Sequence, residues 1–121
     1  MQNPVPSTMI SPQWLCLSDC SVDLRSGRVV WADQELRLSH TEARLLHYLV
    51  QHSGRVVSWV EILVEVLGQA ADAPTSRAYV HLGLLRNKVE RDPRNPLHIH
   101  ALRGVGVQFD VCSNASLSQV A

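Results

Sequence analysis

The sequence predicts an α+β domain: a four-stranded antiparallel sheet, three helices and a C-terminal β-hairpin, in that order. Three observations predict it. Residues 14–38 fall into four short alternating runs separated by polar or glycine turns. Two Ser-x-x-Glu boxes each open an apolar stripe at helical spacing. Residues 77–109 then read as helix, proline-interrupted turn, strand, glycine turn and strand. A helix that runs into a short basic hairpin is the layout of a winged helix-turn-helix, whose helix enters a DNA major groove while the hairpin reaches the backbone or minor groove.

The elements follow in order. Residues 1–12 contain three prolines and are expected to be a disordered N-terminal tail, with the domain at 13–112 and a flexible tail at 113–121. Residues 14–17, 21–24, 28–32 and 35–38 form the meander, with turns at Arg25-Ser26-Gly27 and Asp33-Gln34. Such a sheet has one apolar face that other elements must cover. Ser39-His40-Thr41-Glu42 opens the first helix; Leu45, Leu46 and Leu49 form its stripe, and Gly54 follows its end. Arg55-Val56-Val57 is a short extended link. Ser58-Trp59-Val60-Glu61 repeats the capping box, Ile62, Leu63, Val66 and Leu67 supply the second stripe, and Gly68 ends it. The third helix spans 76–91, with Ala78, Leu82, Leu85 and Val89 inward, and Asp92-Pro93 stops it. The hairpin occupies 97–111 around Arg103-Gly104-Val105-Gly106.

Composition narrows the function. At 121 residues there is room for one domain, and with only 5% aromatic residues its core must be built from Leu, Val and Ile. No apolar run approaches the roughly 18 residues of a bilayer span, and residues 1–12 lack the pattern of a signal peptide, so a cytoplasmic protein is expected. The formal net charge is zero, but residues 1–75 carry five basic and eight acidic side chains and residues 76–121 six and three. This asymmetry hints at an anion-facing C-terminal half. Cys16, Cys20 and Cys112 are expected to be reduced, partly buried thiols. A zinc site built from Cys16, Cys20, His98 and His100 lacks the usual ligand spacing, and neither a metal nor a cofactor is expected. No nucleophile has an adjacent base and no glycine-rich phosphate loop opens a helix, so an enzyme is not expected.

LSHTEARLLHYLVQHSGRVVS, EILVEVLG, VHLGLLRNKVERDP and IHALRGVGVQF together resemble the DNA-binding domain of the OmpR/PhoB response-regulator family, over about Trp14 to Val111. Leu38, Glu42, Leu45 and Leu46 match its first-helix signature. Gly54, Val57, Ser58 and Leu63 match the second. Val80, His81, Leu82, Leu85 and Arg86 match the recognition helix, and Arg103, Gly104, Gly106 and Phe109 match the wing. The resemblance implies the same sheet, helices and wing, and sequence-specific binding to promoter DNA within two-component systems. It further implies a homodimer or tandem copies on double-stranded DNA, and contact with RNA polymerase through loop 67–75. The family's phosphoacceptor receiver domain is not expected within these 121 residues.

With the apolar stripe inward, the third helix presents Ser76, Arg77, Val80, Gly83, Leu84, Asn87 and Arg91 outward, with His81 between core and groove. The expected DNA-binding set is Ser76, Arg77, Val80, His81, Leu84, Asn87 and Arg91, plus Arg103 at the wing. Val80 suits a thymine methyl, Asn87 an adenine edge, and the arginines suit phosphates. The family commonly has basic residues where Gly83 and Leu84 stand, and often Tyr and Arg where Val107 and Gln108 stand. That departure leaves a second reading, in which Val80, Gly83 and Leu84 form an apolar patch that binds a protein partner. Arg86 suits either DNA or an ion pair with Glu90. Trp14, Trp31 and Trp59 are expected in the core, and His40, His47 and His52 on a solvated helix face.

Overall fold

The computed structural model describes residues 14–111; both expected tails and Cys112 lie outside the described residues. Strands β1 (Trp14–Cys16), β2 (Cys20–Asp23), β3 (Arg28–Trp31) and β4 (Glu35–Arg37) form an antiparallel meander in sequence order. The register aligns Leu15 with Val22, and Val22 with Val29, so one apolar row crosses the sheet. All three are buried, which is the single apolar face that the alternation predicts. Trp14 is the exception to the expected tryptophan core. It starts an edge strand, is 43% exposed, and lies beneath the Arg28 guanidinium, 5.7 Å from its ring centroid. Trp31 is half-buried and Trp59 is buried.

Helix α1 (His40–Gln51) has the full capping box: Ser39 Oγ accepts from the Glu42 backbone N–H, and Glu42 accepts from the Ser39 N–H at 2.9 Å. Leu45, Leu46 and Leu49 are buried, while His40 and His47 are exposed and His52 is half-buried. Helix α2 begins as an α-helical turn (Trp59–Glu61) and continues in π-helical form (Ile62–Val66). Its box is only half made. Ser58 accepts from the Glu61 N–H at 3.0 Å, but the Glu61 carboxylate turns to Arg55 and Tyr48 instead. A guanidinium and a phenol outcompete one neutral N–H for an ionised carboxylate.

Residues 55–57, expected as a link, contain a strand. β5 (Val56–Ser58) pairs antiparallel with β7 (Gly106–Phe109), which also pairs with β6 (Ile99–Leu102). The wing is therefore a three-stranded sheet of order β5-β7-β6, and the chain between the first two helices fixes its base. β5 lies so close that a Cβ on Gly106 would stand 2.1 Å from the Val57 carbonyl oxygen. Only glycine fits there. Ile99, Val107 and Phe109 are buried, but Ala101 and Val111 are exposed. The alternation is intact; the hairpin simply runs past the edge of the core at both ends.

Helix α3 (Ser76–Val89) buries Ala78, Leu82, Leu85 and Val89, the predicted stripe. It stops two residues before the expected boundary, because Glu90 turns extended and its buried carboxylate accepts the N–H groups of Leu97, His98 and Ile99 at 2.8–2.9 Å. Among the described residues no helix is long and apolar enough to cross a membrane.

Candidate nucleic-acid interface

Helix α3 is fastened at its C-terminal end and open along its outer side. Trp31 Nε1 donates to the Lys88 carbonyl at 3.0 Å, and the Cys20 thiol to the Val89 carbonyl at 3.5 Å. Burial, then the charges of Asp19 and Glu90, push that thiol up to about 12, so it stays protonated and able to donate. Lys88 Nζ reaches Glu42 at 2.8 Å and the Arg37 carbonyl at 2.9 Å. Burial alone would raise the Glu42 carboxyl, but the hydrogen bond from Lys88, the Ser39 N–H and the Lys88 charge outweigh it and hold the carboxyl below its usual range. These contacts tie the helix to the N-terminal sheet and to α1.

The expected reading face stands in solvent. Ser76, Arg77, Val80, Leu84 and Asn87 are exposed, and His81 and Gly83 are half-buried. Val80 is 58% and Leu84 45% exposed, so no other part of the described residues covers this side of the helix. The face has two flanks. On one, Arg77, Val80 and His81 line a groove shared with Thr41 and Arg44 of α1 and with Gln69, which accepts a hydrogen bond from Arg77. On the other, Tyr79 stacks on Trp59 with centroids 3.9 Å apart, and Trp59 Nε1 donates to the Leu102 carbonyl at 3.4 Å. The hairpin is thus anchored beside the helix N-terminal half. At the hairpin tip Arg103 is exposed, Gly104 has φ +74°, and the apolar Leu102 and Val105 are also exposed.

Two arginines sit elsewhere than expected. Arg91 lies beyond the helix, its guanidinium 3.1 Å from Asp19 of the β1–β2 turn, because the helix ends at Val89. Arg86 does not form the ion pair with Glu90. It is half-buried and donates to the Pro93 carbonyl at 3.0 Å, since Glu90 is occupied by three backbone N–H groups. Asn87 is exposed, and lines a groove with Trp31, Asp33 and Gln34 at the end of the N-terminal sheet. Sequence reasoning missed Tyr79 and strand β5. The Val56-Val57-Ser58 run, rich in β-branched residues, was the available signal for the strand. Tyr79 gave none, because its partner lies twenty positions away.

The hypothetical zinc ligands go separate ways. Cys16 is exposed rather than partly buried, and Cys20 is buried. His98 is buried; its Nε2 accepts from the Ser18 N–H at 3.0 Å, which leaves Nδ1–H to donate to the Asp110 carbonyl at 2.8 Å. His100 lies 3.4 Å from the Asp110 carboxylate. Among the described residues no three metal-ligating side chains come together.

Comparison with known proteins bears directly on this face. Residues 33–109 match the family model described as "Transcriptional regulatory protein, C terminal". PetR of Rhodobacter capsulatus is 38% identical over 101 residues, covering 78% of this chain and 42% of that protein. KdpE of Escherichia coli, a KDP operon transcriptional regulatory protein, is 33% identical over 92 residues, covering 76% and 41%. The chain therefore spans about two-fifths of the length of these relatives. Among solved structures, the DNA-binding domain of CpxR from E. coli superimposes with a TM-score of 0.63 at 29% identity, over 83% of this chain and 96% of that one. The Klebsiella pneumoniae RstA DNA-binding domain, solved in complex with the RstA box, gives 0.68 at 20% identity over 82% and 98%, a likeness of fold. These matches are to transcriptional regulators and DNA-binding domains, and they do not favour the reading of Val80, Gly83 and Leu84 as a protein-binding patch.

Proposed function

The chain belongs to the family of C-terminal domains of transcriptional regulatory proteins, the OmpR/PhoB-type DNA-binding domains, and on that premise we propose that its own residues recognise double-stranded DNA as follows. The outer side of α3 enters the major groove with Ser76, Val80 and Leu84 foremost and His81 at the edge. Arg77 meets a flanking phosphate. The hairpin lays Arg103 on the adjacent backbone or in the minor groove, with Leu102 and Val105 against sugars. Asn87, further along the helix, contributes to base preference. Arg91 is engaged by Asp19 and contributes less than the sequence suggests.

One observation supports this reading above the others. The exposed outer side of α3 and the exposed Arg103 tip are held together by the Trp59–Tyr79 stack and the Trp59–Leu102 hydrogen bond, so helix and wing are presented as one rigid pair. Loop 67–75, which carries the Gln69 partner of Arg77, is our candidate contact for RNA polymerase, and tandem copies on DNA are our candidate assembly.

Few charged side chains serve this face, so affinity should depend only shallowly on salt. Each phosphate contact adds about 0.9 to the slope of log K against log salt. A gel-shift series across salt, on duplexes selected from genomic fragments by the protein itself, tests the proposal. Arg103→Ala should weaken all duplexes by a similar factor and reduce the slope by about 0.9. Binding absent even at low salt would end the proposal.

A further inference from the structure

Most of the basic side chains are already engaged. Arg28 and Glu35, Arg55 and Glu61, Lys88 and Glu42, and Arg91 and Asp19 are ion pairs. Arg37, Arg77 and Arg86 donate to Ser26, Gln69 and Pro93. Among the described residues, that leaves the side chains of Arg25, Arg44, Arg94 and Arg103 without a hydrogen-bond or ion-pair partner. Arg103 is the wing tip. Two of the other three, Arg25 from the β2–β3 turn and Arg44 from α1, line a single cleft of about 340 Å³.

The same cleft is lined by His40 and His47, which stand one turn before and one turn after Arg44 on the exposed side of α1. Against these four nitrogen-bearing groups the lining sets one carboxylate, Glu65; Asp23 stands beside the Arg25 backbone in the β2–β3 turn and feels its charge, but does not line the cleft. Leu24 and Val66 supply apolar walls. A concavity of this size suits a small ligand. Guanidinium groups without a carboxylate partner present their forked donors to planar or tetrahedral oxyanions. The cleft shares Arg44 and Val66 with the groove that reaches Arg77, Val80 and His81, so an occupant would lie next to the proposed reading helix.

We propose that the cleft between α1 and the β2–β3 turn is a phosphate-binding site, with Arg25 and Arg44 as the clamping residues and His40 and His47 as additional donors. The phosphate has two chemical sources: a compact phosphorylated small molecule, or the backbone of a bound duplex. The site itself does not depend on the DNA reading, because free phosphate can be offered without DNA.

The test is an NMR titration of the full chain with sodium pyrophosphate, against sodium chloride at matched ionic strength. Saturable shifts of the His40 and His47 signals are expected with pyrophosphate and not with chloride. Arg44→Gln and Arg25→Gln should each weaken binding at least ten-fold, while Arg94→Gln, which removes an unpartnered arginine elsewhere, should leave it unchanged. Shifts equal to those from chloride, or equal losses in all three variants, would overturn the proposal. A second arm identifies the source. If duplex supplies the phosphate, the Arg25→Gln/Arg44→Gln pair lowers the salt slope of DNA binding by about 1.8. If a free ligand supplies it, the slope is unchanged while pyrophosphate binding is lost. Failure of all DNA binding leaves the first arm readable, so the two proposals fail separately.

Discussion

Three glycines in the proposed DNA-binding half should respond to the same substitution in three different ways. At Gly106 an added Cβ would meet the Val57 carbonyl oxygen at 2.1 Å and the Ser58 Cα at 2.8 Å. Both are backbone atoms of β5, so no side chain can swing aside, and β5 and β7 must part. Overpacking typically costs about 1–3 kcal/mol, and an immovable neighbour puts Gly106→Ala at roughly 3 or more. At Gly104 nothing lies within 4 Å, but φ is +74°, so Gly104→Ala should cost about 1–2 kcal/mol from backbone strain alone. At Gly83, inside α3, nothing lies within 4 Å and φ is ordinary, so Gly83→Ala should stabilise by about 1 kcal/mol. For a folded region of this size each kcal/mol moves Tm by about 4–8 °C. The expected order of stability is therefore Gly83→Ala, wild type, Gly104→Ala, Gly106→Ala, with at least about 12 °C between wild type and the last. Urea unfolding followed by tryptophan fluorescence, with calorimetry beside it, reads the series. A Gly106→Ala protein within about 0.5 kcal/mol of wild type would refute the close β5–β7 seam, and with it the view that the link between α1 and α2 braces the wing.

Leu84→Arg restores a cation to an exposed position of α3, and should tighten DNA binding while steepening the salt slope by about 0.9, as read by gel shift. Replacing Asn87 by Ala should alter the sequences recovered from a randomised duplex pool more than it alters affinity for the best of them. Glu61 gives a pH prediction. Hydrogen bonds from Arg55 and then Tyr48 hold its carboxyl at about 2, against an ordinary 4.5. Because the folded value is depressed, its stabilisation is complete above pH 4.5 and disappears as pH falls towards 2. Glu61→Gln should therefore be less stable than wild type at pH 7, with the difference shrinking below pH 4.5 in acid-unfolding curves.

Local signals were enough for the four-stranded meander, the three helices and the hairpin, though not for strand β5, and for the inward stripe of α3. Ala78, Leu82, Leu85 and Val89 repeat at helical spacing, and that repeat alone decides which side the helix buries. It also decides that Val80 and Leu84 are left outside. The Ser39–Glu42 box was legible because both partners lie within one turn. The Ser58–Glu61 box looks identical in sequence and is only half formed, because Arg55 and Tyr48 compete for the same carboxylate. The four residues of each box do not distinguish the two; the neighbours Arg55 and Tyr48 do.

Much of what was illegible is polar and long-range. Trp31 to Lys88, Cys20 to Val89 and Lys88 to Glu42 join residues 46 to 69 positions apart, and each partner has plausible local alternatives. A stripe of leucines says that a surface is buried but not against what. A buried hydrogen bond names its partner, and it fixes position more sharply than apolar contact does. These bonds all fall on the last turn of α3 and hold it to the sheet and to α1. Among the described residues, the first turns are held by the Tyr79–Trp59 stack, which ties them to the wing, and by the exposed Arg77–Gln69 hydrogen bond. The helix is therefore clamped to the body of the domain at one end and to the hairpin at the other. That arrangement leaves the surface between the two clamps, centred on Val80 and Leu84, as the part of the molecule that can be pressed into a groove without disturbing the core.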